Sequence, residues 1–238
     1  MCLRRYLINL VDKSKSDNDK NILDLLEKVP QAKLLDLGCA DGEWTLKLGE
    51  KVCTKNLFGV DIIEEQIKKA ISREVECRCA DLNGDLPFED EMFDVVHANQ
   101  VIEHIYNLEK FIKEAYRVLK TDGYAIISTE NLSSWHNIFA LICGWQPFSA
   151  TNYLLKTLGN PLSLWKGREH HTDESLCHNK LWAYRGLIEF LENYNFKIER
   201  IKGAGYYPLF SFLGNLDKRH CHWITIKARK KSKNYVSK

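Results

Sequence analysis

The sequence lacks any uninterrupted apolar run long enough to cross a bilayer, and its first residues lack the apolar core and small-residue cleavage site of a secretory leader. A cytoplasmic location without an integral membrane segment is therefore expected. No C-x-x-C pair occurs. The eight cysteines, at positions 2, 39, 53, 77, 79, 143, 177 and 221, have no regular spacing, which argues against a disulfide framework and for a reducing compartment. Cys177-His178 and His220-Cys221-His222 also lack the paired spacing of metal ligands, and no metal is expected. Internal repeats and low-complexity tracts are missing as well. The 238 residues fit one α/β domain with an insertion, long enough to bury about 70% of its unfolded surface. The formal charge of +2 includes six positive side chains and no acid between 227 and 238, so the chain before that stretch is net acidic. Without a basic face on the fold, nucleic acid is not expected as a partner. The basic end reads as solvated and frayed.

What is present starts at Lys33. Lys33-Leu34-Leu35-Asp36-Leu37 is a short apolar strand, and Gly38-Cys39-Ala40-Asp41-Gly42 is a small-residue loop that opens a helix at Glu43. Small residues at 38, 40 and 42 let the backbone turn sharply and approach a ligand where a Cβ would collide with it. The pattern is G-x-A-x-G, not the G-x-G-x-x-G of dinucleotide enzymes, whose helix faces a pyrophosphate. With Asp36 at the strand end and Asp41 in the loop, the site should repel phosphate and favour a nucleotide-like cofactor of positive charge. Strands and helices then alternate: helix 43–51, strand 57–61, helix 64–72, strand 75–79 and an acidic loop over 81–94. This is the signature of a parallel sheet. An amphipathic helix over 107–120 is expected to end at Gly123, another is marked by Leu187, Ile188, Leu191 and Tyr194, and 196–201 and 223–228 read as the last strands. Residues 1–32 read as an N-terminal helical cap of two helices, Cys2–Val11 and Asn18–Lys28, separated by the polar run 12–17.

Over roughly residues 33–130 the chain resembles the class I S-adenosylmethionine-dependent methyltransferases, in particular the type 11 and type 12 small-molecule enzymes. The resemblance is carried by Asp36-Leu37-Gly38-Cys39-Ala40-Asp41-Gly42, Leu57-Phe58-Gly59-Val60-Asp61, Ala80-Asp81-Leu82, Phe93 to His104 and Leu119 to Ser128, in that order. Ala40 departs from the family's middle glycine, and Thr121-Asp122 stands where proline and glycine are usual. The resemblance implies a Rossmann-like α/β fold: a seven-stranded, mostly parallel sheet with an antiparallel last strand and helices on both faces, over residues 33–230. It implies S-adenosyl-L-methionine as cofactor, held by Asp36, Gly38, Cys39, Ala40, Gly42, Asp61, Ile62, Asp81, Leu82 and Asn99. Asp61 would take the ribose hydroxyls, and Asp81 with the Leu82 N–H would take the adenine. The activity it implies is methyl transfer to a small-molecule, glycan or lipid-linked acceptor, with oxygen as the expected acceptor atom. A silent cofactor-binding module and a protein or nucleic-acid methyltransferase are the competing readings. Against the nucleic-acid reading, Asn99-Gln100-Val101-Ile102 lacks the Asn/Asp-Pro-Pro-aromatic signature of amino-methylating enzymes.

The acceptor side is less legible. The segment 132–168 interrupts the alternation, and residues 132–155 contain no charged side chain. A lid burying its own side chains, a pocket wall, or a patch resting on membrane lipid would each cover such a surface. Trp135, Trp145 and Tyr153 in it, Tyr206 in Gly203-Ala204-Gly205-Tyr206-Tyr207-Pro208, and Gln100 are the candidate substrate contacts. Gln100, Glu103 and His104 stand at i, i+3 and i+4, which on a helix puts them on one face at the ligand-binding end of the sheet. His104 is the expected general base, because an imidazole titrates near neutral pH, with Glu103 beside it. His136, Tyr153, His170 and His171 are its rivals, and residues 231–238 form the basic tail.

Overall fold

The computed structural model describes residues 2–151, 153, 156–163 and 177–231. Seven strands, β1 (Lys33–Leu37), β2 (Asn56–Asp61), β3 (Glu76–Cys79), β4 (Phe93–Asn99), β5 (Leu119–Glu130), β6 (Phe196–Ala204) and β7 (Trp223–Lys230), form one sheet in the order β3-β2-β1-β4-β5-β7-β6. Six strands run in one direction, and β7 alone is antiparallel to its neighbours β5 and β6. The chain reverses its direction of travel across the sheet after β3, so β1 and β4 lie side by side. Ligands bind at such a switch point, beyond the carboxyl ends of the strands.

Both faces are buried, as the apolar strands demand. Leu35, Leu37, Val96, Ala98, Ala125 and Ile127 face one way, against α4 (Leu108–Val118) and α6 (Tyr184–Asn193), whose Phe111, Ile112, Leu187 and Leu191 join the same core. Leu34, Leu57, Val95, Tyr124 and Ile126 face the other way, against Ile22 and Leu25 of α1 (Cys2–Leu25), Leu48 and Val52 of α2 (Glu43–Val52) and Ala70 of α3 (Glu64–Ser72). Asn107 starts α4 by accepting the Lys110 N–H at 3.2 Å.

Three expectations are corrected. The N-terminal cap is one helix, not two. Its polar run continues the helix because Lys13 pairs with Asp17 one turn on, and because Ser14, Asn18 and Asn21 form a buried stripe at i, i+4 and i+7. Asn18 donates to Ser128 Oγ at 2.9 Å and accepts from Thr225 Oγ1 at 2.7 Å, while Asn21 donates to the Gly203 carbonyl at 3.1 Å. Next, α4 stops at Val118 and β5 starts at once, with Asp122 in the left-handed region at φ 64°. Gly123 is there for close approach, since a Cβ would come within 2.9 Å of the Lys120 carbonyl oxygen. Last, the basic end is half strand: Lys227, Arg229 and Lys230 belong to β7. Arg229 bonds Glu27 at 2.6 Å and Glu199 at 2.5 Å, Lys227 pairs with Glu27, and Lys230 donates to the Leu119 carbonyl at 2.6 Å. Residues 232–238 of the tail lie outside the described residues.

Candidate active site

The small-residue loop is built by left-handed backbone at Gly38 (φ 74°), Ala40 (46°) and Gly42 (78°). A Cβ at Gly38 would stand 2.8 Å from Val101 Cγ2, so the loop is pressed against the turn after β4. Ala40, where the family has glycine, is held in this uncommon conformation by Asp61, whose Oδ2 accepts the Ala40 N–H at 2.8 Å. The other oxygen of Asp61 accepts the Ile63 N–H at 2.9 Å, and the half-buried carboxylate keeps lone pairs for two hydroxyls. Cys39 is buried with its Sγ 3.3 Å from that of Cys77, and burial pushes its thiol far up, which makes it a packing group. Ile62 is exposed beside Asp61, and Leu82 is half-buried. Asp81 is exposed, accepting from the Asn83 backbone and side chain at 2.9 and 2.8 Å. Asn83 in turn accepts the Tyr106 and Asn107 N–H groups at 2.8 and 3.0 Å. At the end of β4, Asn99 Oδ1 is buried without a partner, a free acceptor one strand from the loop.

The charge argument for the loop needs revision. Asp36 is 2% exposed, and its oxygens are taken by Thr45 Oγ1 at 2.6 Å and His97 Nδ1 at 2.7 Å, so it braces the strand end from inside. Asp41 is paired with Arg73 at 3.0 Å. The acid left for a ligand's hydroxyls at the loop is Asp61.

The turn after β4 departs from the expected helix. Gln100 has φ 57° and donates its N–H to the Ser128 carbonyl at 2.9 Å, and only a single 3-10 turn, Ile102–His104, follows. The i, i+3, i+4 face shared by Gln100, Glu103 and His104 therefore does not form. Gln100 Nε2 is buried without a partner. Glu103 is 1% exposed; its Oε2 accepts from Thr129 Oγ1 at 2.9 Å and its Oε1 has no partner. Burial pushes this carboxyl up to about 8, and the negative Glu130 adds to the effect. His104 has Nδ1 3.1 Å from the Cys177 carbonyl, and its ring meets His178 edge-on at 5.1 Å. Glu103, His104 and His178 are the donor atoms of the described residues that could hold a metal ion together.

A cavity of about 580 Å³ opens on the far side of β5. Its wall is mostly apolar, with Leu7 and Val11 of α1, Trp135 and Phe139 of α5 (Trp135–Ile142), Phe148 and Trp223. Glu130, His136, Thr151, Ser163, Tyr207 and His222 supply polar atoms. Glu130, Tyr207 and His222 arrive from the ends of β5 and β6 and the start of β7, where Asn131 clamps the turn, and His136 comes from α5. The Asn131 N–H donates to the His222 carbonyl at 2.7 Å, and its Nδ2 donates to the Arg219 and Cys221 carbonyls at 2.8 and 2.9 Å. His222 Nε2 is 3.5 Å from Glu130 Oε1, and its Nδ1 is 2.9 Å from the Tyr207 hydroxyl, which also bonds Ser14. Glu130 Oε2 is buried without a partner. Burial opposes charge on Glu130, but the bond from His222 and the fields of His222 and His178 outweigh it and hold the carboxyl below its ordinary range. Burial holds His136 well below its ordinary range, so that ring is neutral.

Of the expected substrate contacts, Trp135 lines this cavity. Gln100, Trp145, Tyr153 and Tyr206 do not. Tyr206 instead accepts the Trp135 indole N–H at 2.7 Å and donates to Asp217 at 2.8 Å, Trp145 stacks edge-on against Phe139, and Tyr153 is exposed. His170 and His171 lie outside the described residues, while His136 is in the wall. Sequence reasoning missed Glu130, Tyr207 and His222. The available signal was an acid directly ending the apolar strand five and a His-Trp pair opening strand seven.

The comparisons with known proteins agree with this geometry. A family model described as a methyltransferase domain matches residues 35–127. The mitochondrial ubiquinone biosynthesis O-methyltransferase of Rattus norvegicus is 33% identical over 119 residues, 46% of this chain and 34% of that protein. The chain thus spans about a third of the length of that relative. The ubiquinone biosynthesis O-methyltransferase of Rickettsia bellii is 26% identical over 182 residues, 75% of this chain and 67% of that protein. Among solved structures, a methyltransferase-like protein of Bacillus halodurans superposes with TM-score 0.61 at 17% identity, covering 91% of this chain and 100% of the other. An S-adenosylmethionine-dependent methyltransferase fold from Listeria monocytogenes gives 0.60 at 18%, covering 90% and 97%. No helix among the described residues is long and apolar enough to cross a membrane. Sheet order, small-residue loop, strand-end acid and matched family model together make one case: residues 35–127 are a methyltransferase domain, the chain around them has the fold of the class I S-adenosylmethionine-dependent enzymes, and S-adenosylmethionine is the cofactor its loop is built for.

Proposed function

We propose that the protein methylates an oxygen atom of a small, largely apolar acceptor bound in the cavity between α1, α5 and the ends of β5 and β7. The observation that carries this reading is the cavity itself: about 580 Å³, apolar-walled, with one half-buried carboxylate–imidazole pair, and one strand away from Asn99. That size and lining suit a ligand of drug-like dimensions with one polar end. The rat and Rickettsia relatives are named for O-methylation in ubiquinone biosynthesis, which supports oxygen as the atom methylated. A sugar would leave its hydroxyls unpaired against such walls.

Bound S-adenosylmethionine supplies a methyl group already activated on a sulfonium. The chain has to hold the acceptor in line, exclude water and take one proton. Asp61 and Asn99 offer the acceptor atoms for the cofactor's hydroxyl and amino groups. The aromatic wall fixes the acceptor, and positioning of this kind is worth several kcal/mol, about 7 in favourable cases. Glu130 Oε2 accepts the acceptor's hydroxyl, and the Glu130–His222 pair takes up the proton, with Tyr207 orienting the ring through Nδ1. His104, the base expected from sequence, does not line this cavity, so the proton goes to His222 and Glu130 in this reading.

The test is incubation with methyl-labelled cofactor and a panel of hydroxylated aromatic compounds bearing short or long apolar tails, with products read by mass spectrometry. Label in a methoxy group, lost in Glu130→Gln, is the expected result. Label transferred to amines alone, or cofactor bound with no turnover on any member of the panel or on a cell extract, overturns the proposal.

A further inference from the structure

Trp135 walls the cavity without being buried: the first residue of α5 keeps 44% of its surface exposed. Burial alone does not hold so open an indole, yet this one is fixed along its polar edge and on one face. Its Nε1–H donates to the Tyr206 hydroxyl at 2.7 Å, and the His220 ring stacks on it with centroids 4.4 Å apart and planes 29° apart. We infer that Tyr206, Asp217 and His220 are positioning residues that hold Trp135 in one orientation and thereby set how wide an aromatic acceptor the cavity admits. With that cavity read as the acceptor site, the selectivity of the proposed reaction follows: single-ring hydroxylated aromatics are taken in preference to fused-ring ones.

Asp217, the residue after α7 (Leu213–Leu216), joins the two restraints. Its Oδ2 accepts the Tyr206 hydroxyl at 2.8 Å, and its two oxygens lie 3.1 and 2.9 Å from His220 Nδ1. Burial opposes charge on Asp217, but the bonds from Tyr206 and His220 outweigh it and hold the carboxyl below its ordinary range. A carboxylate only accepts, so the Tyr206 O–H and the His220 Nδ1–H both point at it, and the phenol oxygen is left to take the indole N–H. Bonds aligned in this way strengthen one another. The backbone closes the cycle, because the Trp135 N–H donates to the His220 carbonyl at 3.2 Å.

None of the three lines the cavity, but Tyr206 and His220 stand one and two residues before Tyr207 and His222, which do. Gly205 allows this close arrangement at φ 76°, since a Cβ there would come within 2.8 Å of His222 Cβ and 3.0 Å of Ser14 Cβ. The aromatic wall is thus tied to the same two segments that carry the proton-accepting ring and its orienting hydroxyl. A wall held from behind does not yield to a second fused ring, and forcing one in costs affinity. Tyr206, expected from sequence to touch substrate, acts on it through Trp135.

The test uses the wild type, Tyr206→Phe, His220→Ala and His220→Phe, each labelled with fluorotryptophan, with the Trp135 resonance assigned from Trp135→Phe. Fluorine NMR reads the surroundings of the indole, and calorimetry with para-cresol and beta-naphthol, in the presence of the demethylated cofactor, reads the width of the cavity. The wild type should bind the cresol about tenfold or more tighter than the naphthol. Tyr206→Phe and His220→Ala should each shift the Trp135 resonance and reduce that preference by about tenfold. His220→Phe keeps a ring on the indole and should restore most of it. Cofactor affinity retained in each variant shows that the fold persists. A wild type without the preference, or preference and resonance unaltered in Tyr206→Phe or in His220→Ala, overturns the inference. Because binding is read without turnover, the two readings separate. Methylated cresol with a preference that no variant alters defeats the positioning role alone, whereas the expected selectivity without any methylation defeats the methyl-transfer reading alone. Failure of both compounds to bind defeats both.

Discussion

The cofactor half and the acceptor half of this molecule are made in opposite ways. The proposed cofactor contacts come from the ends of β1, β2 and β4, in loops a few residues long, each fixed by its own strand. The proposed acceptor contacts come from Leu7, Glu130, Trp135, Tyr207 and His222, scattered over more than 200 residues and joined only by packing. A parallel sheet delivers the first set by local rules, because every strand must end on the same edge. The second set is delivered by the ends of β5 and β6, the start of the antiparallel β7, one inserted helix and one N-terminal helix, and nothing local requires them to meet.

If the halves are separable, the largest effect should come from the acceptor side alone. Glu130→Gln is expected to lower kcat by about 100-fold or more while calorimetry finds cofactor affinity unchanged, since the group acts on a proton transferred only in the reaction. Loss of cofactor binding in this variant would break the comparison. The reciprocal change is Asp61→Ala, which should weaken cofactor binding by about 2 kcal/mol, because it removes a charged acceptor and frees the Ala40 and Ile63 N–H groups. Unchanged affinity would mean the loop holds itself.

Trp135→Ala should raise the acceptor KM by about tenfold with little change in cofactor affinity, as a pocket wall loses buried area but no proton-transfer group. A fall in kcat with constant KM would assign Trp135 to the reacting geometry instead. The smallest effect belongs to neither half. Glu114→Gln on α4 should cost about 1 kcal/mol at pH 7, because Glu114 bonds Arg117 at 2.6 Å and the Leu86 N–H at 2.8 Å. Those bonds, led by the one from Arg117, hold its carboxyl down at about 2 against an ordinary 4.5. A depressed carboxyl stabilises the fold above its unfolded value and loses that contribution as pH falls toward 2. The stability gap between wild type and variant, read from denaturant midpoints, should therefore narrow between pH 6 and pH 3. A gap constant with pH would remove Glu114 from that network.

What the sequence determined by itself was everything that repeats with a short period. The alternation of apolar strands and amphipathic helices fixed the sheet and its two buried faces, and the small-residue loop with Asp61 fixed the cofactor end. Even here one local sign misled: the polar run 12–17 looks like a helix break, but its Ser14 joins Asn18 and Asn21 in the inner stripe of one long helix, satisfied by Tyr207, Ser128, Gly203 and Thr225 from distant parts of the chain. What only the tertiary structure decided was which polar groups share a pocket or a turn. An ion pair such as that of Glu130 with His222 joins residues far apart in the chain and leaves no spacing to read, and burial, which leaves Glu103 and Glu130 each with an unpartnered oxygen and frees Asp36 from the ligand side, exists only once the sheet has closed over them.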